Sequence, residues 1–488
     1  MLAGDALRLH GLTRHDLWLD EANSVAIARQ PFLAIPAALA NDSSPPLYYW
    51  LLHFWIRVFG ESEAAVRLPA VVLGVLLIPA AALLARRLAG ERAGVAAAWI
   101  VAATPMAVQF SQQARMYMLL PLLATIAAER LLAYIEDGGR GTLVAHALAL
   151  VACFYTHNWG LLLLPGAAAA VALAPRRRLA GWAVGAAVAA ALYLPWVPVL
   201  WGQIQGSSYR FIELTQTASN NWSLPFRSLV LFASGVGDPG EEARSLLPGV
   251  LSFLAAGAWA AMTAAALILR PEWRRGALAT SALVVVPLVA ALSWQLRGKP
   301  IYFLGRYEIM VLPLLIALVS GAAATTLHRR WFTPVVAAWV LVLAALSYDY
   351  NTAIRRTYPE PAMARTLAPA LRPGDRVVFT GLFRATAEYY LRRAGASYEG
   401  VSYPPEVAGH MGWYDDDAYD LSDPALEAAA LRLCPPPEGR TWVVGSNART
   451  ALMFLRILGE CSHMTKPFAD MGSPMSSLFL AVPDSGGN

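Results

Sequence analysis

The sequence predicts a polytopic α-helical membrane protein with a C-terminal α/β domain on the extracytoplasmic side. Hydrophobic residues make up 57% of the 488-residue chain and charged residues only 15%, a composition far from that of soluble proteins. Apolar stretches close to the length of a membrane span recur through residues 1–350. In residues 351–488 no stretch is long enough to span, and Pro, Gly and acidic residues become frequent.

The first 350 residues are expected to form a bundle of about ten membrane helices. Seven apolar stretches approach or exceed the spanning length: 66–85, 93–110, 116–135, 182–200, 246–269, 277–294 and 309–327. Three shorter ones alternate with them between charged loops and are predicted to span as well: 142–156, 159–174 and 332–347. Two long external loops are predicted at 13–64 and 201–245.

Arginine placement predicts which helix ends face the cytoplasm. Five loops hold 13 arginines: Arg86, Arg87, Arg92, Arg130, Arg140, Arg176, Arg177, Arg178, Arg270, Arg274, Arg275, Arg329 and Arg330. The alternating loops hold only seven Lys or Arg residues over a greater length. Cytoplasmic loops are enriched in these residues, so the alternating loops and the C-terminal domain are predicted to lie outside. This distribution argues against nucleic acid as the reason for the net charge of +5.

Both predicted external loops contain features that suit a site at the membrane surface. Residues 47–58 are apolar and aromatic but short, with His53 and Arg57 four positions apart, which predicts a helix lying in the membrane interface. Pro45 and Pro46 suit the start of that helix. Residues 207–222 are rich in Ser, Asn and aromatic residues, a composition that suits a lid over a site as well as a solvated loop.

The C-terminal region is predicted to alternate strands and helices. Apolar runs at 376–380, 441–445 and 478–482 predict short buried strands. Helical segments are predicted at 383–394, 424–433 and 447–459, the last one capped by Ser446 and Asn447. Cys434 and Cys461 both fall in this region, where they form either a disulfide or two buried thiols, whereas Cys153 is a packing residue within a span.

Polar motifs follow one another on the predicted external side. They read LWLDEANS (17–24), SPPLYYW (44–50), RLP (67–69), QFSQQARMY (109–117) and YTH (155–157). In this order and spacing they resemble the GT-C glycosyltransferases, in the branch of the protein O-mannosyltransferases and the bacterial aminoarabinose (lipid A) transferases. The resemblance covers residues 12–350 and implies a GT-C-like transmembrane bundle.

The resemblance implies an inverting glycosyltransferase in the bacterial inner membrane. Such an enzyme would move a sugar from a polyprenyl-phosphate donor to a protein hydroxyl, lipid A or a cell-surface glycan on the extracytoplasmic face. The expected partners are therefore the lipid bilayer, the donor lipid and one of these acceptors, with no nucleic acid. A surface-polysaccharide polymerase or ligase and a polyprenyl-lipid transporter remain alternatives. Spans almost free of charge argue against the transporter, because transporters place charges and broken helices near the bilayer midplane.

Asp20 matches the catalytic aspartate of the family and is expected to act as the base, although Asp is also a common helix cap. Glu21 beside it is expected to pair with an arginine and orient the loop. Arg115 and Arg306 begin spans on the external side, where a guanidinium group can hold a phosphate through two parallel hydrogen bonds. Snorkelling to the interface is the ordinary role of such arginines. One reaction would need these side chains and His157 around one cavity.

The remaining residues that the resemblance places in the substrate pocket are Ser44, His53, Arg67, Gln112, Gln113, Tyr117, His157 and Tyr307. His157 is expected to hydrogen-bond within the site rather than to transfer a proton. Relatives usually carry His or Lys at the position of Ser44, and many carry Glu at that of Gln113, so donor recognition is expected to differ. The chemistry requires no cofactor. A divalent ion beside Asp20 is compatible with the resemblance, but no ligand spacing supports it.

Members of the family begin with a transmembrane helix that ends just before the Asp-Glu loop. Here only residues 1–12 precede that loop, and 6–12 look like the end of such a helix. A start codon assigned too far downstream explains this better than a long segment crossing the membrane without a leading helix.

Overall fold

The computed structural model describes residues 2–40, 42–205, 222–234, 246–299, 301–353, 357–409, 411–412, 415–435, 439–446, 448–466 and 476–483. Contacts between Cα atoms divide the chain into two compact units. The helical unit comprises the described residues within 1–13, 43–205 and 212–355. The sheet unit comprises those within 14–42 and 356–488. The predicted lid at 207–222 lies almost entirely outside the described residues.

The helical unit consists of α-helices joined by short turns. Their bounds are α1 Leu2–Leu9, α4 Leu47–Phe59, α5 Glu63–Ala89, α6 Glu91–Ala103, α7 Pro105–Ser111, α8 Leu119–Asp137, α9 Arg140–Thr156, α10 Leu163–Ala172, α11 Arg176–Tyr193, α12 Val197–Gln205, α13 Leu224–Ser234, α14 Leu246–Leu269, α15 Pro271–Gln295, α16 Leu312–Thr326 and α17 Arg329–Ala353; the sheet unit contributes α2 Leu19–Ala28 and α3 Ile35–Ala38. Helix α13 lies within the stretch predicted as an external loop.

Six helical stretches in the described part of the chain are long and apolar enough to cross a membrane, which confirms the predicted class of fold. They are Glu63–Ala89, Arg176–Gln205, Ser252–Leu269, Pro271–Gln295, Tyr307–Thr326 and Arg329–Asp349. Helices α6 and α7 together form a seventh candidate with a bend of 58°. Helices α9 and α10 are apolar but shorter, and α8 carries four charged residues, Glu129, Arg130, Glu136 and Asp137. Large apolar side chains such as Ile268 and Leu341 remain exposed, as on lipid-facing helices.

The break between α6 and α7 has a local cause. Pro105 has no N–H group, so the last carbonyl groups of α6 lose their helical donors. The buried guanidinium group of Arg8 donates to the oxygens of Val101 (3.1 Å) and Ala102 (3.0 Å). The Ser347 hydroxyl donates to the oxygen of Ala103 at 2.7 Å. Side chains from two other helices thus stabilise a broken helix that would be costly in a bilayer.

The sheet unit is built on five strands, β1 Arg376–Thr380, β2 Glu399–Tyr403, β3 Thr441–Ser446, β4 Ser462–Thr465 and β5 Ser476–Pro483. Their order is β2-β1-β3-β5-β4. Strand β1 pairs in parallel with β2 and β3, while β5 pairs antiparallel with β3 and β4. The three predicted strands are confirmed, whereas β2 and β4 were not predicted.

Alternate residues of the strands pack on opposite faces of this sheet. Val377 and Phe379 contact the face that is covered by α18 (Glu360–Leu367) and α19 (Arg384–Arg393). Val378 belongs to the core on the other face, with α20 (Pro424–Leu431) and α21 (Arg449–Cys461). All three helices predicted in this region are therefore present. The sheet thus has an apolar core on each face, as expected for an α/β unit.

Two details of the sheet unit bear on the sequence predictions. Cys434 and Cys461 form a disulfide with Cα atoms 6.2 Å apart, so the structure decides between the two alternatives that the sequence left open. The predicted cap of α21 is wrong, because Ala448 occupies the N-cap position without a side-chain cap. Instead the Asp416 carboxylate accepts hydrogen bonds from the backbone N–H groups of Arg449 and Thr450, so an acid from a distant loop satisfies this helix end.

Candidate active site

The twelve residues expected in the site fall into both units. Asp20 and Glu21 belong to the sheet unit, and the other ten belong to the helical unit. Residues 14–42 are joined to the rest of the sheet unit by hydrogen bonds. The Leu17 N–H donates to the Tyr390 hydroxyl at 2.8 Å, and the Tyr358 N–H donates to the Asp16 carboxylate at 3.0 Å.

Asp20 and Glu21 lie in the first turn of α2. Trp18 occupies the N-cap position, so Asp20 is not the cap of this helix. Glu21 is 1% exposed, whereas Asp20 is half-buried. The Ser24 hydroxyl donates to the backbone oxygen of Asp20 at 2.7 Å, one turn along the helix. The carboxylates are therefore carried by an ordered helix rather than by an extended loop.

In the helical unit, His157 and Tyr307 lie together. His157 follows the last residue of α9 and adopts an extended conformation, and its ring packs on that of Tyr307 with centroids 4.5 Å apart. The Trp159 N–H donates to Nδ1 of His157 at 3.1 Å. Because Nδ1 accepts, the proton of neutral His157 is assigned to Nε2, which makes this nitrogen a hydrogen-bond donor. The Trp159 indole donates to the backbone oxygen of Ile301 at 2.8 Å. This hydrogen bond connects the corner of the helical unit formed by His157, Trp159 and Tyr307 to the segment that precedes Tyr307.

Ser43, which precedes Ser44, contacts the His157 segment through Asn158. The Asn158 amide nitrogen donates to the oxygen of Ser43 at 2.8 Å and contacts Oε1 of Gln203 at 3.4 Å. Ser44 is 1% exposed, and its hydroxyl has no hydrogen-bond partner among the residues that the structure describes. The Asn158 Oδ1 atom is likewise buried without a partner in that part of the chain. Sequence analysis did not single out Asn158, Trp159 or Gln203.

Arg306 precedes Tyr307 on a tight turn. Gly305 has a positive φ of 78°, a conformation that favours glycine. The Arg306 guanidinium carbon lies 4.4 Å from the centroid of the Phe303 ring. The stacking orients the planar guanidinium group, a group that binds phosphate through two parallel hydrogen bonds in many proteins.

Arg115 lies among tyrosines. It is 7% exposed, its Nη1 atom donates to the Tyr49 hydroxyl at 3.3 Å, and its guanidinium carbon lies 5.7 Å from the Tyr117 ring centroid. Tyr49 is in the first turn of α4, which begins after Pro46 as predicted. Arg115 is therefore tied to the helix that follows Ser44.

Three of the predicted pocket residues make structural contacts. The Gln112 amide nitrogen donates to the oxygens of Leu7, Arg8 and His10 at 3.4, 3.0 and 2.8 Å. Arg67 donates to the oxygen of Leu12 at 2.8 Å, and His53 contacts Arg57 on its own helix. Gln112 and Arg67 thus satisfy the carbonyl groups where α1 ends. The side-chain oxygen of Gln113 is buried without a partner among the described residues.

The described residues contain no group of three or more His, Cys, Asp or Glu side chains that could hold a metal ion. The side chains gathered around His157, Tyr307 and Arg306 are hydrogen-bond donors and cations instead. A cluster of this kind suits an anion such as phosphate.

Residues 43–201 match the family model described as dolichyl-phosphate-mannose-protein mannosyltransferase. The fold resembles the crystal structure of ArnT from Cupriavidus metallidurans bound to undecaprenyl phosphate, with a TM-score of 0.65 and 17% identity over 98% of this chain and 96% of that one. The chain has an ArnT-like GT-C fold, and a third of it matches a family model of glycosyltransferases.

The apo form of the same ArnT gives a TM-score of 0.63 and 16% identity over 98% of this chain and 95% of that one. The archaeal oligosaccharyltransferase AglB from Archaeoglobus fulgidus, solved with an inhibitory peptide and a dolichol-phosphate, gives a TM-score of 0.46 and 14% identity over 72% of this chain and 56% of that one. No curated protein matches the sequence. The GT-C assignment therefore rests on the segment at 43–201 and on the ArnT-like fold.

Proposed function

We propose that this GT-C-fold protein is a glycosyltransferase that transfers a sugar from a polyprenyl-phosphate donor to an acceptor hydroxyl or phosphate on the extracytoplasmic face of a bacterial inner membrane. The observation that carries the proposal is the convergence of Ser43, His157, Tyr307 and Arg306 at one corner of the helical unit. A lipid-phosphate donor suits this corner, because its head group needs donors and cations while its chain needs apolar helix surface. The ArnT structure with undecaprenyl phosphate supports the same donor class.

In the proposed reaction an acceptor oxygen attacks the anomeric carbon of the sugar. The bond from that carbon to the phosphate oxygen breaks, the polyprenyl phosphate leaves with the electron pair, and the configuration at the carbon inverts. Asp20 is assigned as the base that takes the proton of the acceptor, and Glu21 as the neighbour that orients the same helical turn. This assignment rests on the match of Asp20 to the family motif and on its half-buried position in α2.

The leaving phosphate is assigned to arginines. Arg306 stacks on Phe303, and Arg115 is held by Tyr49. Arginine suits this role because its planar group can make two parallel hydrogen bonds to a phosphate. Tyr307, Tyr117, Ser44, Gln113 and the Nε2 atom of His157 supply further polar groups beside them. Gln112, Arg67 and His53 are assigned to the support of the pocket, because the structure commits their donors elsewhere.

Two observations support an extracytoplasmic active side. The arginine-rich ends of α5 and α11 both contact the end of α8, where Arg87 forms ion pairs with Glu129 at 2.8 Å and Glu136 at 2.6 Å and Arg178 donates to the backbone oxygen of Glu136 at 3.4 Å. Clustered arginines of this kind are expected at a cytoplasmic edge. The Cys434–Cys461 disulfide suits an oxidising compartment outside the cytoplasm. The sheet unit is accordingly proposed to lie outside.

The proposal is tested by radiolabel transfer in membranes from cells with and without this protein. Donors carrying mannose or aminoarabinose on polyprenyl phosphate are supplied, and protein, lipid A and glycan fractions are counted separately. We expect one fraction to acquire label only when the protein is present. If no donor gives transfer and the protein moves the lipid across the membrane of proteoliposomes, the transporter hypothesis is supported and the transferase hypothesis is rejected. A membrane-impermeant maleimide applied to reduced spheroplasts tests the orientation, because it should label Cys434 and Cys461.

A further inference from the structure

A fully buried carboxylate, Glu308, organises the turn that carries Arg306. Glu308 is 0% exposed and follows Tyr307 at the start of the last apolar stretch before α17. Its Oε1 atom accepts hydrogen bonds from the Gly305 N–H and, at 3.0 Å, from the Ser228 hydroxyl. Its Oε2 atom accepts from the Arg306 N–H at 3.2 Å. Three donors therefore point at one carboxylate, and two of them are consecutive backbone groups of the turn.

The directions of these hydrogen bonds follow from the chemistry of the groups. The Gly305 and Arg306 N–H groups can only donate, so both Glu308 oxygens accept, and Ser228 is the donor of the third hydrogen bond. The Ser228 oxygen must then accept from Tyr302, whose hydroxyl lies 2.8 Å away. The chain of donors runs from Tyr302 through Ser228 to Glu308. It joins both ends of the turn to α13, because Ser228 belongs to that helix.

We propose that Glu308 is a positioning residue that fixes the direction of Arg306 toward the donor phosphate, an inference that rests on the proposed function. The turn places Arg306 between two anchors, the Glu308 carboxylate on its backbone and the Phe303 ring on its guanidinium group. Tyr307 leaves the same turn toward His157. A buried carboxylate in an apolar segment is costly unless it has such a use.

The hydrogen-bond geometry explains why a carboxylate is required here. In Glu308→Gln one carboxylate oxygen becomes an amide nitrogen, which only donates. Whichever way the amide is oriented, it faces a backbone N–H or the Ser228 hydroxyl with another donor. With the amide nitrogen toward Gly305, the Gly305 N–H loses its acceptor; with the nitrogen toward Arg306, two N–H groups face each other and the Arg306 N–H keeps only the Phe303 oxygen at 3.1 Å. Either arrangement sets donor against donor, and the turn must shift to separate them. Arg306 moves with the turn, although its own side chain is unchanged.

The test combines the Glu308→Gln and Arg306→Ala substitutions in a double-mutant cycle. We expect Glu308→Gln to lower kcat/KM for the polyprenyl-phosphate sugar by about 10- to 100-fold, because small misplacements of a positioning group cost this much. The KM for the acceptor should not change. In the Arg306→Ala background, Glu308→Gln should cause no further loss, because Glu308 acts through Arg306. Losses that multiply in the double variant, or an unchanged donor kcat/KM, would overturn the inference.

Two further variants separate positioning from folding. Glu129→Gln is the matched control, since Glu129 is also a buried carboxylate of the helical unit but pairs with Arg87 and Arg130. It should leave the donor kcat/KM of the folded enzyme unchanged. Ser228→Ala removes one of the three donors and keeps the carboxylate, so it should lower the donor kcat/KM by a smaller factor. If Glu308→Gln does not accumulate in membranes, an unchanged donor kcat/KM in Ser228→Ala decides against the proposal.

Binding of undecaprenyl phosphate to the purified parent distinguishes failure of the proposed function from failure of the inference about Glu308. If the parent neither binds this lipid nor transfers sugar, the proposed function fails. If the parent binds and transfers, but Glu308→Gln does so equally well, only the inference about Glu308 fails. We expect the parent to bind the lipid and Glu308→Gln to bind it more weakly.

Discussion

The ring of His157 packs on the ring of Tyr307 with centroids 4.5 Å apart, although the two residues come from distant parts of the chain. His157 immediately follows α9, and Tyr307 lies in the short turn that precedes α16. Their contact brings together two motifs that sequence analysis could only name separately. It also places the Nε2 donor of His157 beside the residue that follows Arg306.

Asp20→Asn should abolish sugar transfer without preventing folding. Asn keeps the shape of the side chain but cannot take the acceptor proton, and loss of a general base costs about 10²- to 10⁴-fold in rate. Asp16→Asn is the control in the same segment, because its amide oxygen can still accept the Tyr358 N–H. Single-turnover rates in detergent check both. An Asp20→Asn enzyme with nearly parental rates would remove Asp20 as the base.

Arg306→Lys and Arg115→Lys should each weaken use of the donor more than use of the acceptor. Lysine keeps the charge but loses the planar group that makes two parallel hydrogen bonds. We expect the donor KM to rise about 10-fold or more, because each variant loses one charge-assisted hydrogen bond to the phosphate. Steady-state kinetics with each substrate varied in turn measure this. Unchanged donor kinetics in both variants would identify the two arginines as interface anchors.

Gln112→Leu should lower stability, whereas Gln113→Leu should not. The Gln112 amide satisfies carbonyl groups of Leu7, Arg8 and His10, and leaving buried acceptors unsatisfied costs about 1–3 kcal/mol. The Gln113 side-chain oxygen has no hydrogen-bond partner in the described part of the chain, so removing this oxygen leaves no buried donor unsatisfied. Thermal unfolding in detergent compares the two. Equal melting temperatures would contradict the structural role of Gln112.

The Cys434–Cys461 disulfide should be needed for a stable sheet unit. It joins residues 27 positions apart, and closing a loop of that size stabilises a fold by about 3–4 kcal/mol in the chain-entropy model. Replacing both cysteines with serine should therefore increase proteolysis of the C-terminal region. Alkylation before and after reduction, followed by mass spectrometry, shows whether the bond is present. Modification of both cysteines without reduction would contradict the pairing.

Asp375 should make the sheet unit sensitive to acid. Burial alone would raise the pKa of Asp375, but hydrogen bonds from Arg440, the Arg372 N–H and Trp442 outweigh burial and lower this pKa below its usual value. A lowered folded-state pKa stabilises the fold above the unfolded-state pKa of about 3.9, and this contribution is lost as the pH falls through the folded-state value.

Hydrogen exchange of β1 and β3 measures this effect in the full-length protein. Protection in the parent should decrease as the pH falls below the unfolded-state pKa of about 3.9. In Asp375→Asn, protection should be lower at neutral pH and should change less over the acid range. Similar acid profiles for parent and variant would show that Asp375 does not control this transition.

The class of fold could be predicted from the sequence because it depends on local properties. The length of an apolar stretch identifies a membrane helix whatever its neighbours are, and the apolar runs of β1, β3 and β5 mark strands that are paired on both sides. Strands β2 and β4 escaped prediction because they lie at the two edges of the sheet. Edge strands are short and polar, and their sequences EGVSY and SHMT lack an apolar run.

The uses of individual polar groups could not be predicted, because they depend on which backbone groups lie within reach after folding. Gln112 and Arg67 belong to the family motifs, yet their donors satisfy carbonyl groups of residues 7–12. Glu308 could have been identified from the sequence, because a carboxylate within an apolar stretch indicates a functional residue. Sequence alone determined the spans, the central strands and the candidate residues, because hydrophobicity and motif order are properties of the chain. Tertiary structure decided which donors meet which acceptors, because buried polar groups must find partners that only the packed helices bring near.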